Sequence, residues 1–175
     1  DSTAMWAHYT HKHKGLTVSF DSENDYFKQK ESDKSDIGIL KKVFYENSRI
    51  SLDLQGLISH KEKISKDIYY IKSKDWSYEE EWRILRDLAC ADKRIDGQPC
   101  PICLFNVPPS AILEVCLGMN MQKNDGTDIL HSIQSNASLS HVKIFRAALN
   151  DKHFTMDWIP LHGESKSLPL WLRTH

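Results

Sequence analysis

Residues 75–83 read DWSYEEEWR, three glutamates between two tryptophans, and the fold turns on whether this stretch opens a helix or enters a strand. As a helix, Ser77 is the N-cap and Glu80 the third helical residue, a capping box with its acids at the favourable end of the dipole. Glu79 then pairs with Arg83 one turn on, and Tyr78, Trp82 and Leu85 form the buried stripe. As a strand, Glu79 and Glu81 project to one face while Tyr78, Glu80 and Trp82 project to the other. Two carboxylates on one face backed by aromatics can raise the pKa of one acid or orient a substrate hydroxyl. The first reading is structural, a solvated face; the second is chemical.

Upstream, the opening WAHYTHKHKGLTVSFD contains a polar, His-rich turn ending at Gly15, and LTVSF (16–20) alternates as a strand does. Residues 21–36 are charged and aperiodic and read as an exposed loop. Residues 37–53 supply two short β-like runs with ENS (46–48) as the turn between them. From 52 to 76 the apolar residues at 54, 57, 58, 64, 68 and 71 suit a helix, interrupted at Gly56. Downstream, RILRDLA is apolar enough to be buried, and ICLFNV, ILEVCLG and SHVKIFRAAL read as strands. NDGTDILHSIQSNAS is read as a capped helix with Asp125 or Thr127 near its start, and the tail from Trp158 is loop-like. Short strands in irregular order with few helices indicate an α+β domain with a mixed or mostly antiparallel sheet.

The 175 residues are 40% hydrophobic and 27% charged, which suits one domain over 1–175 with its own core. A net charge of -1 provides no general attraction to phosphate backbones, so nucleic acid is not indicated. The absence of a long apolar run or a signal-type h-region indicates no membrane and a cytoplasmic location. The chain begins at Asp1 rather than Met and is expected to be part of something longer.

Three other clusters invite chemistry. His8, His11 and His13 are close enough for a metal, but their spacing is no zinc signature and a polar turn is the simpler reading, so no metal is expected. His8 and Tyr9 beside Trp6 could form a platform for a flat ligand, or an ordinary packed turn. Cys100 and Cys103 form one CxxC, with Cys90 and Cys116 at irregular spacing; buried, reduced thiols fit better than zinc or a redox pair. Nucleotide, hydrolase and zinc-protease motifs are absent.

Taken in order, MWAHYTHKHKGLTVSFD, ILKKVFY, IKSKDWSYEEEWRIL and FNVPPSAILEVCLGMNM resemble the bacterial family called domain of unknown function 2971. Its first block falls on Met5, Trp6, His8, Tyr9, His13, Lys14, Gly15, Phe20 and Asp21, with Ala7 where the family tends to have serine. The second falls on Lys72 or Lys74, Trp76, Tyr78, Glu79, Glu81, Trp82 and Arg83, which leaves Glu80 as filler. The resemblance implies an N-terminal region with an Asn-Asp-Pro turn that this chain lacks. A looser analogy connects the Glu-rich entrance to WRIL with ADP-ribosyltransferase-like folds, where such a glutamate binds the nicotinamide ribose and stabilises oxocarbenium-like charge.

That analogy implies NAD as cofactor, with Glu81 catalytic and Glu79 its helper in a transferase or glycohydrolase of the toxin or phage-defence kind. Trp6, His8, Tyr9, Lys14, Trp76, Tyr78 and Arg83 would then bind the ligand. The alternative is a non-catalytic interaction or sensing domain in which the block is a clasp, Arg83 satisfying the acids. A metal-assisted nuclease would need a third carboxylate nearby.

Overall fold

The computed structural model describes residues 2–29, 38–48 and 68–161. Along the chain lie α1 (Thr3–Tyr9), β1 (Leu16–Phe20), β2 (Leu40–Lys42), β3 (Phe44–Glu46), β4 (Ile71–Ser73) and β5 (Trp82–Ile84). They are followed by β6 (Lys93–Ile95), β7 (Ile102–Leu104), β8 (Ile112–Leu117), α2 (Lys123–Gln134), β9 (Lys143–Leu149) and β10 (Met156–Pro160). Helices and strands are mixed and most strand pairs are antiparallel, which is the α+β class the sequence indicated. The described residues fall into two compact units, one from residues 2–24 with 107–161 and one from residues 25–29, 38–48 and 68–106.

The first unit is built on a sheet in the order β1-β8-β9-β10. β1 runs antiparallel to β8, β8 parallel to β9, and β9 antiparallel to β10. A parallel neighbour needs a long crossover, and α2 lies in it. Alternation along β8 divides the core: Val115 and Leu117 join Met121, Leu130, Ile133 and Val142 on the α2 side. Cys116, between them, joins Trp6 of α1, Ala147 and Met156 on the other. Burial in that layer pushes the Cys116 thiol up to about 12, with the Glu114 charge adding to it.

Several expectations need correction. A short helix that the sequence reading lacked precedes the polar turn: Ser2 caps α1 by accepting from the Met5 N–H at 3.4 Å, and the turn follows from Thr10. That turn holds His11, Lys12 and His13 at φ of 50°, 58° and 64°, a left-handed run that costs roughly 1–2 kcal/mol per residue for side chains bearing a Cβ. It is held from both sides. Lys14 and Gly15 both donate to the Thr10 carbonyl at 2.8 Å, and the His13 carbonyl accepts from the Asn120 N–H at 2.9 Å.

The cap of α2 is Gln122, which places Asp125 in the first turn and lets Thr127 donate to the Lys123 carbonyl at 2.9 Å. Trp158–Pro160 is strand rather than loop, because Trp158 pairs with Ala147 and Pro160 with Phe145 on the sheet edge, where a missing N–H is tolerated. Cys90 and Cys100 are exposed and Cys103 is half-buried, so only Cys116 is a core thiol. Within the expected loop, residues 21–29 include a 3-10 turn, Asp25–Phe27, that buries Phe27; residues 30–36 lie outside the described residues.

The second unit consists of two-stranded ribbons, β2 with β5 and β6 with β7 antiparallel, β3 with β4 parallel. Val43, buried between β2 and β3, donates its N–H to the Glu81 carbonyl at 2.9 Å and splits the first β-run ahead of the bend at Asn47. The second β-run, from Arg49, and most of the expected 52–76 helix lie outside the described residues. Where that helix can be checked it fails: Ile68–Tyr70 is a 3-10 turn and Ile71–Ser73 is β4, paired with Phe44–Glu46. Of the β-formers in IYYI, only Ile71 enters the pairing, opposite Phe44.

Candidate functional site

DWSYEEEWR is neither of the two elements its sequence allowed. Lys74–Glu79 form a 3-10 helix, Glu80 turns left-handed at φ 47° and ψ 42°, and β5 starts at Trp82. Ser77 is therefore no N-cap, and its carbonyl instead accepts the Glu80 N–H at 3.2 Å. Tyr78 and Trp82 are exposed rather than forming a buried stripe. The turn at Glu80 brings Glu79 and Glu81 to the same lysine, which helix or strand periodicity would not reveal.

That lysine is Lys72 on β4. Its Nζ bonds the Glu79 carboxylate and lies 3.1 Å from Glu81 Oε2. Arg83 closes on Glu81 from the other side, with Nε at 2.6 Å from Oε1 and Nη2 at 2.9 Å from Oε2. Arg83 Nη1 also donates to the Tyr69 carbonyl at 2.5 Å, and the Glu81 N–H donates to the Tyr45 hydroxyl at 2.8 Å. Two carboxylates and two cations thus form a balanced quartet. Such fork-on-carboxylate pairing is among the stronger and more directional kinds of hydrogen bond.

The electrostatics follow from these contacts. The Arg83 hydrogen bond, aided by Lys72 and opposed by partial burial, lowers Glu81 to about 2. Burial alone would lower Lys72, but its bonds to Glu79 and Glu81 outweigh that and raise it. Arg83 is raised, chiefly by the hydrogen bond to Glu81. All three groups are fixed in their charged forms at neutral pH.

Aromatic rings lie on the Lys72 side of the quartet. The Lys72 ammonium lies 5.1 Å from the centre of the Trp76 ring, and Trp76 and Tyr78 are tilted neighbours with centroids 6.1 Å apart. Trp76, Tyr78 and Trp82 remain 43%, 44% and 56% exposed, so the quartet holds their backbone while their faces meet solvent. A cleft of ≈ 580 Å³ opens at the carboxyl ends of β3 and β4, lined by Glu46, Asn47 and Ser48 and by Ile71, Lys72 and Ser73.

The remaining sequence candidates, Trp6, His8, Tyr9 and Lys14, belong to the first unit. Trp6 is buried and stacks on His13 with centroids 6.5 Å apart and planes 6° from parallel, which makes it part of the core. His8, Tyr9 and Lys14 are exposed. Sequence reasoning passed over Tyr45 and left the choice between Lys72 and Lys74 open. The alternation of IKS, a strand signal, was the available clue for Lys72.

Among the described residues, no group of three His, Cys, Asp or Glu side chains could hold a metal ion, and no helix is long and apolar enough to cross a membrane. Residues 5–84 match the model of a family described as "Protein of unknown function (DUF2971)". No curated protein and no solved structure matches the chain.

Proposed function

We propose a non-catalytic recognition domain: residues 5–84 match the DUF2971 family model, whose description names no activity, so function must be read from the site. In this reading the WSYEEEWR block is a structural clasp that presents Trp76, Tyr78 and Trp82 to a partner. The observation that carries it is the state of Glu81: both carboxylate oxygens are engaged by Arg83, one also by Lys72, and its pKa is lowered to about 2. A carboxylate that stabilises oxocarbenium-like charge would be ionised as well, but it would need an oxygen open to the substrate, and here both are taken by cations. Exposed aromatics next to an ordered arginine are, in turn, the composition enriched at protein interfaces.

A second reading is an NAD-using transferase or glycohydrolase that holds its ligand in the cleft beside Lys72; Glu81 is not in that lining and would have to leave Arg83 to face the nicotinamide ribose. One experiment separates the two: incubation with NAD labelled in the nicotinamide, for wild type and Glu81→Gln, with thermal denaturation of both. The clasp reading expects no nicotinamide release from either protein and a lower Tm for the variant. Release by the wild type that Glu81→Gln abolishes at unchanged Tm would overturn the clasp and leave the NAD reading standing.

A further inference from the structure

The ribbon of β6 and β7 carries chemistry that the clasp does not use. Lys93 is opposite Leu104, Arg94 opposite Cys103 and Ile95 opposite Ile102. Between the strands the chain doubles back tightly: a Cβ on Gly97 would stand 2.9 Å from the Cys100 carbonyl oxygen. Cys100 is therefore in the bend, and Cys103 is on the strand that leaves it. No residue from Asp92 to Asn106 is buried, and Ile95, Ile102 and Leu104 are exposed. A two-stranded ribbon with so little cover is marginal in water.

CPIC (100–103) places two thiols at the Cys-x-x-Cys spacing with which a tight loop supplies half of a tetrahedral zinc site. Zinc takes four such ligands, with sulfur at about 2.3 Å. The other half is not beside them: among the described residues no group of three His, Cys, Asp or Glu side chains could hold a metal ion. Of the remaining cysteines, Cys116 is in the core of the first unit, and Cys90, although exposed, completes no such group.

We propose that Cys100 and Cys103 are the half-site of a zinc ion shared by two copies of this chain. A two-fold axis through the ion brings the same bend from each copy, so that four thiolates surround it and the surface is complementary to itself. The four thiols release their protons to solvent and no electron is transferred, so the sulfurs stay reduced. Four thiolates on a divalent ion leave a net charge of about -2, and each copy brings Arg94, directly opposite Cys103, and the neighbouring Lys93 to offset it. Arg94 is held in place by donating from Nη2 to the Leu88 carbonyl at 2.6 Å. Ile95 and Ile102, the last pair before the bend, lose water when the two bends meet.

The test uses the 175-residue chain under reductant, with Zn²⁺ added and then stripped by a chelator, followed by metal analysis, Co²⁺ substitution and sedimentation. The expected result is about one zinc per two chains, a mass that doubles with Zn²⁺ and returns to that of the single chain on chelation, and a Co²⁺ spectrum of tetrahedral thiolate type. Cys100→Ser and Cys103→Ser should each abolish both zinc binding and the mass change at unchanged circular dichroism, while Cys90→Ser should alter neither. If a serine variant fails to fold, alkylation of the wild type read by mass spectrometry decides instead: Zn²⁺ should protect Cys100 and Cys103 together. No zinc binding, one zinc per chain in a monomer, a dimer that survives chelation, or thiols that Zn²⁺ leaves unprotected would each overturn the proposal.

Discussion

Replacing Lys72 with Met keeps an unbranched apolar stem on β4 and removes the ammonium that bonds two carboxylates. The Glu79 side chain is only 4% exposed, the Glu81 side chain 28% and Lys72 itself 23%. Removing the cation from a buried pair costs about 3–5 kcal/mol, whereas an exposed pair is worth about 0–1 kcal/mol. Glu79 lies near the first limit. Glu81 lies nearer the second and keeps Arg83. With Lys72 partly solvated, the expected loss is roughly 2–3 kcal/mol, a fall in Tm of about 6–9 °C for a chain of this size. Urea and thermal denaturation of wild type and Lys72→Met measure it directly. Adding Glu79→Gln to Lys72→Met should recover part of the loss, since the neutral amide no longer needs the cation. A single-variant loss below about 0.5 kcal/mol would refute the quartet as a stabilising unit, and so would a double variant weaker than Lys72→Met.

Two further outcomes follow, one from the quartet and one from the turn after α1. The Glu81 carboxyl is lowered from 4.5 to about 2 in the folded protein, so on acidification the unfolded chain takes up the proton first. Its contribution is present above the unfolded value and lost as pH falls from 4.5 through about 2; urea midpoints measured across that window should fall less steeply for Glu81→Gln than for wild type. At Gly118 an added Cβ would stand 2.2 Å from the His13 carbonyl oxygen and 2.6 Å from that of Gly15. Both are backbone atoms that cannot swing aside, so Gly118→Ala should cost about 3 kcal/mol or more, with the Tm as readout.

Where local pattern and long-range pairing agreed, the sequence was readable. LTVSF and ILEVCLG alternate and are rich in β-formers, and they pair with one another as β1 and β8. α2 was visible from its apolar face, although its start lies two residues before Asp125 because Gln122 and not an Asx or Thr residue occupies the cap. α1 was hidden because it is seven residues long and is followed by a left-handed turn without a glycine at its three positive-φ positions. IYYIKS has apolar residues that fit a helix on spacing alone, and only its pairing with β3 decides otherwise.

The site shows the same division. The two patterned acids, Glu79 and Glu81, could be picked out as a pair by their spacing and by the family block. What joins them could not, because Lys72 is seven and nine residues away and the geometry depends on one residue, Glu80, in a conformation that a side chain with a Cβ rarely adopts. The sequence placed the two acids together on a strand face, whereas the contacts that unite them belong to a turn.

The stem between β1 and β8 has a consequence for how the gene can vary. After the last pair, Phe20 with Ile112, the Asp21 N–H still donates to the Ala111 carbonyl at 2.9 Å, and the Asn24 side chain reaches the Ser110 hydroxyl at 3.4 Å. Residues 25–106 therefore leave the first unit and return to it side by side, as a long insert in what is topologically a hairpin connection. Lengthening such an insert adds only slowly to the closure entropy, and the β1–β8 register is fixed by pairs that lie outside it. The chain can then remodel the segment bearing the clasp and its aromatics, by insertion, deletion or exchange, while the sheet that carries it stays in register.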